Sequence, residues 1–263
     1  MEIQHVKQDT HLFLALTLVL GILAAGAYAP SAQAMDAPIV REIYTCSFNE
    51  GKDMDDLMAA RDFYLKQMEK AGQDPATAFV WVPYKVAANF DFLWANNQGS
   101  MMEYAETTDE FNASPEGKAA MDRFNTVASC TSSLAMRQQI YQADGEMMPG
   151  ADGAVINALA CNYNHGRGPE DLTDITSHIA RAVGSIDLDD GSAGFVSVPT
   201  IGAGPNTRDV YFYGVSDSMT SWAKRNMALQ ASEEYASLGR HFENVMDCSS
   251  ALFTAQRVVP PAE

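Results

Sequence analysis

Short apolar runs rich in β-branched and aromatic residues recur eight times along the chain, each bounded by polar or turn-forming residues. Such runs predict β-strands, because branched and aromatic side chains pack well on a pleated surface. The eight predicted strands span residues 38–48, 77–86, 90–96, 132–142, 154–163, 193–201, 208–216 and 250–259.

Segments with apolar residues at helical spacing separate these strands. Residues 53–72 open with acids and end at Gly72, as capping and the helix dipole favour. Residues 170–186 form the counterpart, and residues 114–129 and 232–247 are mostly helical. The order of elements in each half is therefore β-α-β-β-α-β, which is a split βαβ unit.

The two halves are related by an internal duplication. Matching residues lie at offsets that grow by only three positions along the whole length, which makes chance a poor explanation. The matches include CSFNEG (46–51) with CNYNHG (161–166) at an offset of 115, FVWVP (79–83) with FVSVP (195–199) at 116, and Asp91 with Asp209, Phe124 with Phe242 and Cys130 with Cys248 at 118.

The first residues predict a secretory signal peptide rather than part of the fold. A short polar segment with little positive charge precedes the apolar run LFLALTLVLGILAA, and small residues follow up to Ala34. An uncleaved membrane anchor is the alternative, although the run is short for a bilayer. We expect a signal peptide at 1–34, a first repeat at 35–143, a linker at 144–152 and a second repeat at 153–263. The predicted location is periplasmic or secreted.

The charge of the chain excludes some classes of partner. Lys and Arg number 17 against 34 Asp and Glu, a formal net charge of −17. Nucleic-acid affinity depends on cations that neutralise phosphates, so no nucleic-acid partner is expected. The same excess of acid disfavours anionic membrane surfaces, and we expect no membrane association after signal cleavage.

The two successive β-α-β-β-α-β units resemble a tandem member of the dimeric α+β-barrel superfamily, whose units have a ferredoxin-like fold. The resemblance rests on element order and duplication and covers essentially the whole chain after the leader. It implies an α+β fold in which two ferredoxin-like repeats form a pseudo-dimeric barrel within one chain. The superfamily includes cofactor-independent monooxygenases, lactone isomerases and haem proteins, so the fold alone does not choose a function.

The four cysteines all lie after the leader, and an oxidising compartment favours two disulfides. In a ferredoxin-like sheet the first and fourth strands are antiparallel neighbours. The resemblance therefore implies the pairs Cys46–Cys130 and Cys161–Cys248. A metal site or redox pair is the alternative, but there is no Cys-x-x-Cys and no zinc-ribbon spacing, so no metal is expected.

Three residues are weak candidates for proton transfer. Asp91 and Asp209 open the third strands, where a carboxylate that faces a cavity would have a raised pKa; a turn acid is the plainer interpretation. His241 lies on a predicted helix and is either a surface side chain, a general acid or base, or a metal or haem ligand.

Five residues are weak candidates for ligand binding. Trp81 and Trp94 belong to an aromatic group on strands two and three, which predicts either the lining of a small apolar cavity or the interface between two sheets. Asn49 and Asn164 suit turns into the first helices. His165 replaces Glu50 at the variable position of the repeated hexapeptide.

These observations support two classes of function. The first is an exported protein that binds a small apolar molecule between sheet and helices. The alternative is a cofactor-independent monooxygenase or isomerase, and haem binding is a distant third. No cofactor is expected, and the predicted assembly is a monomer with an internal pseudo-dimer or a homodimer.

Overall fold

Eight antiparallel strands close into one barrel in the computed structural model, which describes residues 38–142, 153–186, 191–202, 204 and 207–260. The predicted leader and linker lie outside the described residues. The strands are β1 (Ile39–Phe48), β2 (Thr77–Lys85), β3 (Phe92–Gln98), β4 (Ala128–Gln142), β5 (Ala154–Tyr163), β6 (Ser192–Ile201), β7 (Val210–Ser216) and β8 (Met246–Val259).

Each half of the chain contributes four neighbouring strands to the barrel. The order is β4-β1-β3-β2 in the first half and β8-β5-β7-β6 in the second, and β2–β8 and β4–β6 pairing joins them. The fold is thus a mixed α+β fold with a closed barrel. The description of the halves as two separate ferredoxin-like repeats stays a prediction.

Within the described ranges, six α-helices cover the outside of the barrel. Polar side chains fix several of their starts: the Asp53 carboxylate accepts the backbone N–H groups of Asp55 and Asp56, and Ser100 and Ser218 cap their helices in the same way. The helices are α1 (Met54–Ala71), α2 (Met101–Ala113), α3 (Pro115–Asn125), α4 (Leu172–Gly184), α5 (Met219–Gln230) and α6 (Glu233–Val245).

Two disulfides join the first and fourth strands of each half, as predicted. Cys46 lies directly opposite Cys130 in the β1–β4 ladder, with 4.2 Å between Cα atoms. Cys161 and Cys248 occupy the same place between β5 and β8, at 4.1 Å. Among the described residues, no helix has the length and apolar content needed to cross a membrane.

The sheet separates three apolar cores. One fills the barrel interior, and the other two lie between the sheet and the helices of each half. Trp81 belongs to the interior and Trp94 to the core under the first-half helices, so the two tryptophans lie on opposite faces of the sheet. The reason is register: Trp81 pairs with Leu93, and side chains alternate along a strand, so Trp94 points to the other face.

Removing a disulfide should destabilise the barrel, because the unfolded chain gains conformational entropy. Replacing Cys46 and Cys130 together with Ala frees a loop that joins residues 84 positions apart, for which the chain-entropy model gives about 4–5 kcal/mol. We expect the urea-unfolding free energy to fall by about 2–5 kcal/mol, and similarly for Cys161 and Cys248. An unchanged unfolding midpoint in both double variants would contradict this structural role.

Candidate functional site

Asp91 and Asp209 occupy equivalent, exposed positions just before β3 and β7. The Asp91 carboxylate accepts the backbone N–H of Phe48 at 2.7 Å, and Asp209 accepts that of Tyr163 at 2.9 Å. Each carboxylate thus holds the end of the first strand of its half against the start of the third. Among the residues that the structure describes, no histidine interacts with either carboxylate.

The repeated hexapeptides form tight turns that lead from the first strand to the first helix of each half. Gly51 and Gly166 adopt positive φ angles of 72° and 79°, which glycine tolerates without strain. The Asn49 amide donates to the Asn125 carbonyl at 2.9 Å, and Asn164 donates to the Glu243 carbonyl at the same distance. Both asparagines therefore tie the turn to the end of a helix, while His165 is exposed.

His241 meets a second histidine at the contact between α4 and α6. The Nδ1 atoms of His178 and His241 lie 3.0 Å apart, and His178 Nε2 lies 3.4 Å from Glu234 Oε1. Burial and the Arg181 charge lower the pKa of His178. Both ring nitrogens of His178 are thus engaged, and no group of three or more metal-binding side chains forms within the described part of the chain.

A half-buried acid on β1 lies between the sheet and α2. Glu42 pairs with Asn96 across the β1–β3 ladder, and the next outward pair is Tyr44 with Trp94. The Tyr104 hydroxyl, on α2, lies 3.3 Å from Glu42 Oε1. Because residues two apart on a strand share a face, the sheet and the helix together surround this carboxylate.

Hydrogen-bond donors converge on the Glu42 carboxylate. Tyr44, Tyr104 and Asn96 all lie within hydrogen-bonding reach of it. The Trp94 indole N–H donates to Asn96 Oδ1 at 2.7 Å, which leaves the Asn96 NH₂ as the group that can donate to Glu42. The chain has therefore placed two phenols and one amide around a single acid.

Burial dominates the electrostatics of this cluster. It raises the pKa of Glu42 above its ordinary value of 4.5, although the three hydrogen bonds act in the opposite direction. Burial and the neighbouring Glu42 charge raise the pKa of both Tyr44 and Tyr104. The phenols consequently stay protonated donors, while the carboxylate becomes a stronger base than a solvated glutamate.

Aromatic side chains enclose the cluster on the helix side. The Trp94 ring meets Phe124 edge-on at 5.3 Å between centroids, and Tyr64 lies 6.2 Å from both Phe111 and Phe124. Burial raises the pKa of Tyr64 to about 12. Aromatic rings from the helices therefore pack over the part of the sheet that carries Tyr44 and Trp94.

A pocket of about 440 Å³ opens beside this cluster. It reaches the strand residue Gln98, which shares the outward face of β3 with Asn96, and the α2 residues Glu103 and Thr107, which flank Tyr104. The full lining is Ile39, Asp74, Pro75, Ala76, Thr77, Asn97, Gln98, Gly99, Glu103 and Thr107. The pocket thus comes within one or two residues of the groups that hold Glu42.

The second half contains no copy of this site. The offsets of the duplication place Asn157 and Gly214 at the positions of Glu42 and Asn96, and these two residues pair in the β5–β7 ladder. Tyr141, at the end of β4, fills the vacated space: its ring lies against Gly194, and its hydroxyl lies near Gly214. Its phenol also has the nearly buried Arg225 as a neighbour. The first half therefore carries the Glu42 carboxylate at a position that the Tyr141 ring fills in the second half.

Sequence reasoning missed Glu42 because it looked for acids at strand ends. Glu42 lies within a predicted strand, where the pattern Val40-Arg41-Glu42-Ile43 shows no clear alternation. The available signal was the duplication, since Glu42 and Asn157 differ in charge at matched positions. Tyr104 and Asn96 could not be joined to Glu42 without the sheet register.

Comparison with known proteins adds a likeness in structure but not in sequence. No family model matches the chain, and no curated protein matches it. A proposed monooxygenase of Fusobacterium nucleatum superposes with a TM-score of 0.56 at 10% identity, covering 85% of this chain and 94% of that one. The likeness is one of fold.

Two further solved structures are similar to the same extent. A proposed monooxygenase of Lactobacillus acidophilus gives a TM-score of 0.51 at 9% identity over 85% of this chain and 95% of that one. An anthrone oxidase-like protein gives 0.51 at 14% identity over 86% and 95%. These chains share the α+β-barrel fold with the protein, as the sequence resemblance implied.

The two strand-start aspartates should behave as structural residues. Asp91→Ala removes the acceptor for the Phe48 N–H, and Asp209→Ala does the same for Tyr163. Each substitution should lower the free energy of unfolding by about 1 kcal/mol, measured by urea denaturation. A variant that unfolds like the wild type would show that its hydrogen bond contributes nothing to stability.

Proposed function

We propose that this protein is an enzyme in which Glu42 removes a proton from a small, apolar, enolisable substrate bound beside α2. The observation that carries the proposal is the half-buried Glu42 carboxylate, whose pKa burial raises while two phenols and an amide surround it. A base with a raised pKa is better matched to proton abstraction near neutral pH.

The surrounding groups supply the other requirements of such a step. Loss of a proton from a carbon next to a carbonyl group gives an enolate, or a phenolate where the ring becomes aromatic. In both cases the negative charge lies on the substrate oxygen. Tyr44 and Tyr104 keep their protons, which they donate to the ionised Glu42 carboxylate. Once Glu42 has taken the substrate proton, the phenols are free to turn and donate to that oxygen instead. Trp94, Phe111 and Phe124 offer apolar faces to the rest of the molecule.

The proposed class is a cofactor-independent monooxygenase or isomerase, since both reactions can begin with this proton transfer. The names of the structural neighbours favour the oxygenase, because two are proposed monooxygenases and one is anthrone oxidase-like. In the oxygenase, O2 would then add to the carbanion that Glu42 generates, and the proton held by Glu42 would complete a hydroperoxide. Loss of water would leave one oxygen atom in the product, whereas an isomerase would return the proton at another carbon.

A binding module without turnover is the second candidate. The pocket beside α2 lies next to Glu42 but is not lined by it, which favours a ligand that rests on Gln98 and Thr107 instead. Such a protein would bind a small apolar molecule between sheet and helices. The two candidates differ in whether the ligand loses a proton.

We also propose that the protein is exported and that its two halves arose by duplication. The predicted leader at 1–34 and the two disulfides support a periplasmic or secreted protein. Closure of the barrel within one chain supports a monomer whose halves act as a pseudo-dimer, with a homodimer as the alternative. The domain limits 35–143 and 153–263 follow the duplication.

Anthrone is a suitable probe, because it is apolar and carries an acidic C–H. Under anaerobic conditions, the protein should accelerate exchange of that hydrogen with deuterated solvent, measured by NMR. Glu42→Gln should reduce the enzymic rate by about 100-fold or more, as expected for loss of a general base. Glu106→Gln, an exposed acid on the same helix as Tyr104, is the matched control and should keep the rate.

The outcomes separate the candidate functions. Exchange that depends on Glu42, followed by anthraquinone formation when oxygen is admitted, supports the oxygenase. Exchange without oxidation supports the isomerase. Binding of anthrone without exchange would support the binding module and overturn the enzyme, as would equal rates for the wild type and Glu42→Gln.

The raised pKa of Glu42 also predicts a pH dependence of stability. The folded protein holds this proton more tightly than the unfolded chain, so the stabilisation is fully present below pH 4.5 and is lost as pH rises through the folded-state pKa. The wild type should therefore lose unfolding free energy relative to Glu42→Gln across that window, measured by urea titrations from acid to neutral pH. A constant difference between the two proteins would contradict the raised pKa.

A further inference from the structure

Two arginines point into the barrel, on the opposite face of the sheet from Glu42. Arg41 lies on β1 and is 4% exposed, and Arg137 lies on the neighbouring β4, where it pairs with Ile39 and Ser197. Both guanidinium groups lie among the aromatic side chains of the interior core, which includes Trp81, Phe195 and Tyr213.

Neutral groups surround both cations. Arg41 Nε donates to Asn97 Oδ1 at 2.8 Å, and its guanidinium carbon lies 5.3 Å from the Trp81 ring centroid and 5.9 Å from that of Tyr213. The Arg137 guanidinium lies 3.5 Å over the Phe195 ring, and its Nε is buried without a hydrogen-bond partner among the described residues.

The charge of this pair is not balanced by any acid that the structure describes. None of the ion pairs among the described residues involves Arg41 or Arg137. Burial lowers the pKa of Arg41 to about 10, and burial together with the Arg41 charge lowers that of Arg137 to about 8. Because a guanidinium keeps its proton in proteins, the consequence is concentrated positive charge rather than a neutral side chain.

The duplication shows that the barrel does not need these charges in order to close. The matched positions in the second half are Ile156 for Arg41 and Ala255 for Arg137. Asn97, which orients Arg41, corresponds to Val215, and Ile156 and Val215 pair in the sheet as Arg41 and Asn97 do. The same backbone is thus built from apolar residues on one side and from a cationic cluster on the other.

We propose that the barrel interior is a binding site for a small oxyanion, of the carboxylate or sulfate type, held between Arg41 and Arg137. Guanidinium groups match the planar arrangement of such oxygens and donate several hydrogen bonds to them. The Tyr213 phenol, beside the Ser197 hydroxyl and with its ring centroid 5.9 Å from the Arg41 guanidinium carbon, adds a protonated donor. Arg137 is the more exposed of the two arginines.

The aromatic walls favour an anion with a flat apolar body. Trp81, Phe195 and Tyr213 present ring faces and edges around the cations. Small residues are also buried here, among them Ala95 and Ser197. An aromatic carboxylate would use both features, whereas an inorganic anion would use only the charges.

The test uses the full exported chain with both disulfides formed. Thermal unfolding is measured in chloride, sulfate and benzoate at equal ionic strength. An anion that binds the folded state, present at a concentration of about 100 times its Kd, should raise Tm by about 5–10 °C over the value in chloride. Benzoate above sulfate supports an aromatic carboxylate, and equal effects support a simple oxyanion.

Substitutions that copy the matched residues of the second half make the test specific. Arg41→Ile and Arg137→Ala install the residues of the matched positions and should each abolish the shift, while the exposed Arg240→Ala should keep it. A general salt effect of sulfate would persist in all variants and can be subtracted. The proposal is overturned if the wild type shows no shift beyond this common effect, or if either Arg41→Ile or Arg137→Ala retains the full shift.

This site can be separated from the proposed enzyme site. Glu42→Gln should keep the anion-dependent rise in Tm, because Glu42 lies on the outer face of the sheet. Loss of the shift in Glu42→Gln but not in Arg137→Ala would place the anion outside the barrel and overturn the proposal.

Discussion

The alternation of side chains along β1 is the constraint on which both sites depend. Arg41 and Glu42 are adjacent in sequence, yet the pleat sends the first into the barrel and the second toward α2. A slip of one residue would exchange them, placing a carboxylate among the interior aromatics and a guanidinium beneath the helix. The Cys46–Cys130 bond joins directly opposed residues of the β1–β4 ladder and fixes this register covalently.

Much of the fold could be predicted from the sequence because its signals are local or repeated. Strand runs, capping acids and the Gly51 turn depend on near neighbours, and the repeated hexapeptide implied that Cys46 and Cys161 play equal roles. The family resemblance implied a barrel within one chain, but the β2–β8 and β4–β6 junctions that close it needed contacts between distant residues.

The candidate sites were harder to predict, because the relevant residues are scattered. Glu42, Asn96 and Tyr104 come together only through sheet register and the position of α2. Trp81 and Trp94 look like one aromatic group in the sequence and lie on opposite faces in the fold. Asp91 stood out as a strand-start acid, but its carboxylate is engaged with the backbone of β1.

The end of β4 has a consequence for how the duplicated chain can change. Tyr141 and Ile140 belong to the first half by sequence, yet they pack against Gly194 and into the core under the second-half helices. The chain boundary and the packing boundary therefore do not coincide. The second half could not now be separated from the end of β4 without leaving a gap in its own packing, so it no longer stands as an independent copy.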